Sequence, residues 1–359
     1  MDGKICIILG TRPEIIKMAP IILFCKKKQI DFFTLHTGQH YSREMDLAFF
    51  EELKLPPAKY NIKIGSLYYS EQVGIMKEKI QQILKKEKPK IVLVEGDTNS
   101  VISGAISAKN EKILLGHVEA GLRSYDLEMV EEINRTIADH LSDYLFAPTK
   151  TAKANLLKEK VYKNKIFLTG NTIADAIKIF DARISKSKIH EKLNLKEHGF
   201  IYTTMHRAEN VDKKHKLKNI LKGLKLIQKK TKKKIILPLH PRTMKKIHEF
   251  SLKIPREIQT TKPIGFFDSL LLQKLASAVI TDSGGIQEES CILGTPCVTI
   301  REKTERQETV EIGANILAGT DPKKMLASTE KMLETRKQWK PPYGRGISAQ
   351  NIIKICEKI

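Results

Sequence analysis

Short apolar runs of five to seven residues alternate along the whole chain with longer stretches of helical spacing, the rhythm of βαβ units built on a parallel sheet. In the first half the runs are ICIIL (5–9), FFTLHT (32–37), IVLVEG (91–96), ILLGHV (113–118) and YLFAP (144–148), with helical stretches at 14–27, 70–86 and 131–141. The second half repeats this with FIYTTMH (200–206), KIILPLH (234–240), AVITDS (278–283), PCVTI (296–300) and ANILAG (314–319). Two doubly wound α/β domains are expected. Gly170 and Asn171 interrupt the first series, which sets the domains at 1–170 and 171–340, and a polar, Lys-rich stretch at 181–198 precedes the second series. In 341–359, Ile347, Ile352, Ile353, Ile355 and Cys356 give a terminal helix an apolar face. That face must be buried, and the N-terminal domain is its expected seat.

Composition changes the picture in three ways. A chain of 359 residues holds enough core for two domains without disulfide or metal staples. The five cysteines form no C-x-x-C pair and sit in apolar stretches, so buried thiols are expected and neither a disulfide framework nor zinc. The absence of a signal-type h-region and of any 18-residue uncharged apolar stretch leads to the expectation of a soluble, cytoplasmic protein without a membrane partner. The charge is +22, with 26 basic and 21 acidic residues up to Gly170 and 37 against 20 beyond it. The runs Lys213, Lys214, Lys216 and Lys229 to Lys234 are not interleaved with aromatics, and no zinc-finger or RNA-recognition signature accompanies them. A solvated face or a phosphate-bearing small molecule satisfies that sign of charge better than nucleic acid.

In open parallel sheets, loops at the carboxyl ends of strands converge on a crevice, so polar residues directly after apolar runs are the candidates for chemistry. The first run is followed by Gly10-Thr11-Arg12-Pro13-Glu14, with Lys17 one turn further on, and Arg12 and Lys17 can face an anion or simply cap a turn. Asp97, Glu119 and the pair Glu131, Glu132 follow the next runs. Capping and the helix macrodipole account for each singly. Three carboxylates converging on one crevice have a different consequence, because mutual repulsion raises at least one pKa toward the range of proton transfer. The second half offers Asp282-Ser283-Gly284-Gly285, a strand running through two glycines into a helix, where backbone N–H groups can approach a phosphate. It has neither P-loop nor dinucleotide spacing, so no nicotinamide cofactor is expected. Glu289 lies one turn on, His206 and His240 end two strands next to arginines, and Arg306 follows another.

The strings GTRPEIIKM, VEGDTNSV, GHVEAGLRS, EEINRTIADHLSD, HRAEN, TDSGGIQEES and LGTPCVTIREKTERQETVE together resemble the non-hydrolysing UDP-N-acetylglucosamine 2-epimerases. The resemblance implies a GT-B-like fold, two Rossmann-type domains facing a central crevice. It also implies a homodimer and interconversion of UDP-N-acetylglucosamine and UDP-N-acetylmannosamine without a cofactor, by elimination of UDP to 2-acetamidoglucal and its re-addition. On this resemblance Asp97, Glu119, Glu131 and His206 are the catalytic residues. Arg12, Lys17, Ser283, Gly284, Gly285, Glu289 and Arg306 are the substrate contacts, with Phe266 or Phe267 in place of the uracil-stacking aromatic, since Ser269 stands near its expected position. Gly38-Gln39-His40 matches a motif at which bacterial members bind an activating second substrate, but Tyr41, Ser42 and Arg43 after it differ from theirs. A hydrolysing 2-epimerase and a GT-B glycosyltransferase are the competing readings.

Overall fold

The computed structural model describes residues 3–39, 49–65, 67–335 and 338–359. Its chain divides into two compact units, Met1–Ile179 joined by Pro342–Ile359, and Phe180–Pro341. The division falls inside the helix Thr172–Ile184 rather than at its start. Each unit is a parallel, doubly wound sheet. Among the described residues the strands of the first sheet are β1 (Ile5–Leu9), β2 (Phe32–His36), β3 (Tyr60–Asn61), β4 (Ile91–Glu95), β5 (Leu114–Val118), β6 (Tyr144–Ala147) and β7 (Ile166–Leu168), in the order β3-β2-β1-β4-β5-β6-β7. Those of the second are β8 (Phe200–Thr204), β9 (Lys234–Pro238), β10 (Ile258–Thr261), β11 (Ala278–Thr281), β12 (Cys297–Thr299) and β13 (Asn315–Leu317), in the order β10-β9-β8-β11-β12-β13.

In the first sheet β1 (Ile5–Leu9), β4 (Ile91–Glu95) and β5 (Leu114–Val118) are central and nearly all buried, which explains their unbroken apolar character. The order reverses between β1 and β4. In the second sheet the reversal lies between β8 (Phe200–Thr204) and β11 (Ala278–Thr281). Three strands go unread in the hydrophobic pattern: β3 (Tyr60–Asn61), β7 (Ile166–Leu168) and β10 (Ile258–Thr261). All three are sheet edges, short and partly exposed, so their side chains carry little of the core signal.

The core of the second unit packs Leu217, Ile220, Leu224 and Ile227 of the helix Lys214–Thr231 against β8 and β9 (Lys234–Pro238). The lysines of that helix and its flanks point away, so the run at 213–216 is largely a solvated face. The terminal helix Ser348–Cys356 belongs to the first unit and packs on the helix Arg12–Lys28. Asp175 anchors its start by accepting from the Ser348 and Ala349 amides at 3.0 and 2.9 Å. Gly170, at φ +87°, lets this segment pass, because a Cβ there would stand 2.6 Å from Ser348 Oγ and 2.9 Å from the Tyr343 carbonyl. The five cysteines are buried and unpaired with one another. No helix among the described residues is long and apolar enough to cross a membrane.

Candidate active site

At the switch point of the first unit, the turn after β1 and the loops after β4 and β5 bring a set of carboxylates around two cations. Glu14, 1% exposed, accepts from the Gly10 amide at 3.0 Å and from Thr98 Oγ1 at 2.8 Å. Burial raises its pKa to about 7, although Thr11, Thr98 and the Gly10 amide hold it back. Lys17 points inward from the next turn of the helix, pairs with Glu119 and stands 3.6 Å from Glu95 Oε1. Glu119 has the left-handed φ of +68°, an unusual conformation for a residue with a side chain. It also accepts from Asn171 Nδ2 at 3.1 Å.

Asp97 pairs with the buried Arg135, whose other nitrogen pairs with Glu132. Helical period decides which of the adjacent glutamates turns inward. Glu132, Arg135 and Asp139 lie on the buried face of the helix Val130–Leu141, and Glu131 is exposed in its first turn. Glu132 also accepts from the amides of Ser124 and Tyr125. Below the loops, His117 of β5 directs Nε2 at the Gly96 carbonyl at 2.8 Å and Nδ1 at Asp139 Oδ1 at 2.7 Å. Asp139 is fully buried, yet His117 and Arg123 outweigh desolvation and hold it below its ordinary pKa. This network fixes the backbone just before Asp97 and just before Glu119.

Arg12 is exposed, its guanidinium 4.4 Å from the centre of the Phe49 ring. Gln39 Oε1 accepts from the Ser100 amide and hydroxyl at 3.0 and 2.8 Å. His40, Tyr41, Ser42 and Arg43 lie outside the described residues.

The second unit gathers a cationic group at its own switch point. Ser283 is the N-cap of the helix Gly284–Leu293, so the Gly284 and Gly285 amides open toward the loops. A Cβ on Gly284 would meet Glu305 Oε1 at 2.5 Å, which makes this glycine a packing requirement as well as an amide donor. Arg306 is 5% exposed, with Nε 2.5 Å from Glu288 Oε1 and Nη1 3.6 Å from Glu305 Oε1. Arg301 pairs with Glu209 and Glu305 at 2.9 Å, and Arg207 reaches Glu305 at 3.4 Å. Three arginines are thus set in place by three carboxylates, which fixes the orientation of their guanidinium groups.

His206 stands beside this group. Its amide and that of Arg207 donate to the fully buried Asp282 at 3.1 and 3.0 Å, and Asn210 Nδ2 donates at 3.3 Å. The ring lies 5.3 Å from that of His240 and 3.5 Å from Asp282 Oδ1, with 40% of the side chain exposed. Desolvation of its inner edge, helped by Arg207 and Arg242 and opposed by Asp282, lowers its pKa below the usual histidine value. Glu289 accepts from Gln273 Nε2 at 2.6 Å. Phe266 is 2% exposed and packs on Phe267, which in turn lies under the Arg183 guanidinium.

Of the residues singled out in the sequence, Lys17 and Glu119 pair in the first unit, and Asp97, paired with Arg135, lies within electrostatic reach of Glu95 beside them. Gly284 and Arg306 meet in the second, near Ser283 and Gly285. Glu131 and Arg12 are exposed in the first turns of their helices, and Phe266 is buried against Phe267. Glu14, Glu95, Arg135 and Glu132 of the first network, and Asp282, Glu305, Arg207 and Arg301 of the second, emerge only in three dimensions. Several lie in the same strings, but a carboxylate in a first helical turn or at a strand end has no distinguishing mark in sequence. Among the described residues no group of three or more His, Cys, Asp or Glu is arranged to hold a metal ion.

Two doubly wound parallel sheets, each with its polar residues gathered at a switch point, define a GT-B-like α/β protein. A glycosyltransferase from Rickettsia africae shares the fold with a TM-score of 0.59 at 12% identity, covering 99% of this chain and 98% of that one. The sequence profile of the UDP-N-acetylglucosamine 2-epimerases matches residues 24–357, and the chain belongs to that family of isomerases. The Methanocaldococcus jannaschii UDP-N-acetylglucosamine 2-epimerase is 49% identical over 98% of each sequence. Its crystal structure in complex with UDP-GlcNAc and UDP matches with a TM-score of 0.94, over 99% of this chain and all of that one.

Proposed function

We propose that the protein epimerises UDP-N-acetylglucosamine reversibly at C2 to give UDP-N-acetylmannosamine, through elimination and re-addition of UDP. The observation that carries this reading is the buried set of carboxylates around Lys17 at the first switch point, in a member of this family. The C2 proton has no adjacent carbonyl to acidify it. Its removal is therefore coupled to departure of the C1 oxygen: a carboxylate takes the proton, the C–H electrons form the C1–C2 double bond, and the C1–O electrons leave with UDP. Return of UDP to C1, with protonation on the opposite face of C2, completes the inversion.

Asp97, Glu119 and Glu131 are assigned to proton handling, Glu119 with its charge held by Lys17. Glu131 would reach the sugar from the exposed first turn of its helix. The lowered pKa of His206 leaves its ring neutral at pH 7, able to donate one hydrogen bond to the departing oxygen. Ser283, Gly284, Gly285 and Arg306 are assigned to the diphosphate, Glu289 to the ribose and Arg12 to the nucleotide. The enzyme is placed in the cytoplasm as a homodimer. The exposed stripe Val130, Ile133 and Ile137, beside Leu127, supports self-association.

Incubation with UDP-N-acetylglucosamine in D2O tests the reading. The expected result is deuterium at C2 in both epimers with UDP still attached. Free N-acetylmannosamine as the main product would identify a hydrolysing enzyme, and turnover only with an acceptor would identify a transferase. Asp97→Asn, Glu119→Gln and His206→Asn are each expected to lower turnover by about a hundredfold or more while UDP binding survives. Wild-type rates in these variants would refute the assignments.

A further inference from the structure

We propose that Glu95 is a further positioning residue of this site, a neutral carboxylic acid at pH 7 whose proton leaves Lys17 to Glu119 and so keeps Glu119 ionised. The inference rests on the reading of Glu119 as a proton-transfer group and goes beyond it in assigning the charge state of a neighbour.

Glu95 closes β4 and is 2% exposed. Its surroundings hold more carboxylates than cations. Lys17 is one ammonium among Glu14, Glu95 and Glu119, each at least nine-tenths buried. Arg135 is shared by Asp97 and Glu132. Full ionisation would enclose several uncompensated negative charges in a desolvated space, a cost relieved by binding a proton.

Hydrogen bonding selects where that proton resides. Glu119 has Lys17 and Asn171 as donors, and Glu14 has the Gly10 amide and Thr98. Asp97 has Arg135. For Glu95 the polar contact among the described residues is Lys17 Nζ at 3.6 Å, beyond hydrogen-bond length. The carboxyl with the weakest donors holds its proton hardest. Burial accordingly pushes Glu95 well above the ordinary carboxylate range; Lys17 opposes the rise, and Glu119, Glu14 and Asp97 add to it.

The geometry gives the proton a purpose. A second carboxylate beside Lys17 would compete with Glu119 for the ammonium and weaken the ion pair that keeps Glu119 able to accept the C2 proton. Once Glu119 has taken that proton, Lys17 stands between two neutral carboxylic acids, and Glu95 keeps its own proton throughout. Release of that proton from Glu119 to solvent, balanced by delivery of another to the opposite face of C2, restores the starting arrangement, so no proton is consumed over the cycle.

The test combines Glu95→Gln, a neutral isostere, with carboxyl 13C NMR of glutamate-labelled protein. The expected result is a wild-type resonance at the neutral-carboxyl position at pH 7 that is missing from Glu95→Gln. The variant is expected to keep kcat within about threefold at pH 7, with the acid limb of its pH profile unchanged and its alkaline limb extended. The extension arises because the wild type loses activity when Glu95 ionises and draws Lys17 away. Glu95→Met, neutral and of similar volume, carries the same expectation if the Gln variant folds poorly. A Glu95 resonance at the ionised position at pH 7, or a drop in kcat of about a hundredfold in both folded variants, would overturn the proposal. Continued deuterium exchange by Glu119→Gln would remove the purpose assigned to the proton but not the proton, which the resonance reports by itself.

Discussion

Glu14 illustrates how much of the site is decided by where a single side chain is folded. In sequence Arg12-Pro13-Glu14 is an ordinary helix start, with an acid in the first turn. In the fold Glu14 turns inward and accepts from Thr98, 84 positions away, and burial raises its pKa from 4.5 to about 7. Because the folded value exceeds the unfolded one, the native state binds more protons between these limits, so stability is highest on the acid side and falls as pH rises through the window. Glu14→Gln is expected to flatten that fall by about 3 kcal/mol between pH 4.5 and pH 7.5. Urea unfolding at the two pH values measures it, and parallel curves for variant and wild type would refute it. Residue type and strand-end position made Asp97 and Glu119 legible before the fold was known. Glu95 and Glu14 were not, because their distinction is loss of water, which depends on chain segments far away.

The strands and helices are the best-determined level. Central strands are unbroken apolar runs because helices cover both faces of a parallel sheet, and their ends were readable to within a residue or two. The loops between them depend on partners the pattern does not contain. The turn bearing His206 is held by Asp282, at the end of the neighbouring strand in the sheet and 76 residues away in sequence. Asp282→Ala leaves the His206 and Arg207 amides and the Asn210 side chain without their shared acceptor. A loss of about 3 kcal/mol is expected by denaturant unfolding, with turnover reduced about a hundredfold as His206 shifts. A variant as stable and as active as the wild type would show that the turn is held by something else.

Across the whole molecule the chain returns to its first unit at the end. Pro342–Ile359 threads past Gly170, is anchored by Asp175 and buries Ile352, Ile353 and Cys356. Truncation after Pro341 is expected to speed amide exchange in the helix Arg12–Lys28, which loses its cover, while β8 to β13 keep their protection. Equal loss of protection in both units would show that they do not unfold as the contact pattern divides them. The charge of +22 also belongs to this scale. Its lysine-rich runs lie on the solvent face of the helix Lys214–Thr231 and its flanks, whereas Arg301 and Arg306 are buried among Glu209, Glu288 and Glu305.

The sequence by itself determined two parallel doubly wound sheets, the family, and the strand ends that would bear polar residues, because apolar period and motif order are local properties of a chain. Tertiary structure decided which glutamate of the Glu131, Glu132 pair faces inward, that Lys17 spends its charge on Glu119, and that Glu14 and Glu95 lose their water. These are matters of burial and pairing between segments tens of residues apart. Ionisation follows from them, since the charge a carboxyl carries is set by the donors and solvent that the fold leaves around it.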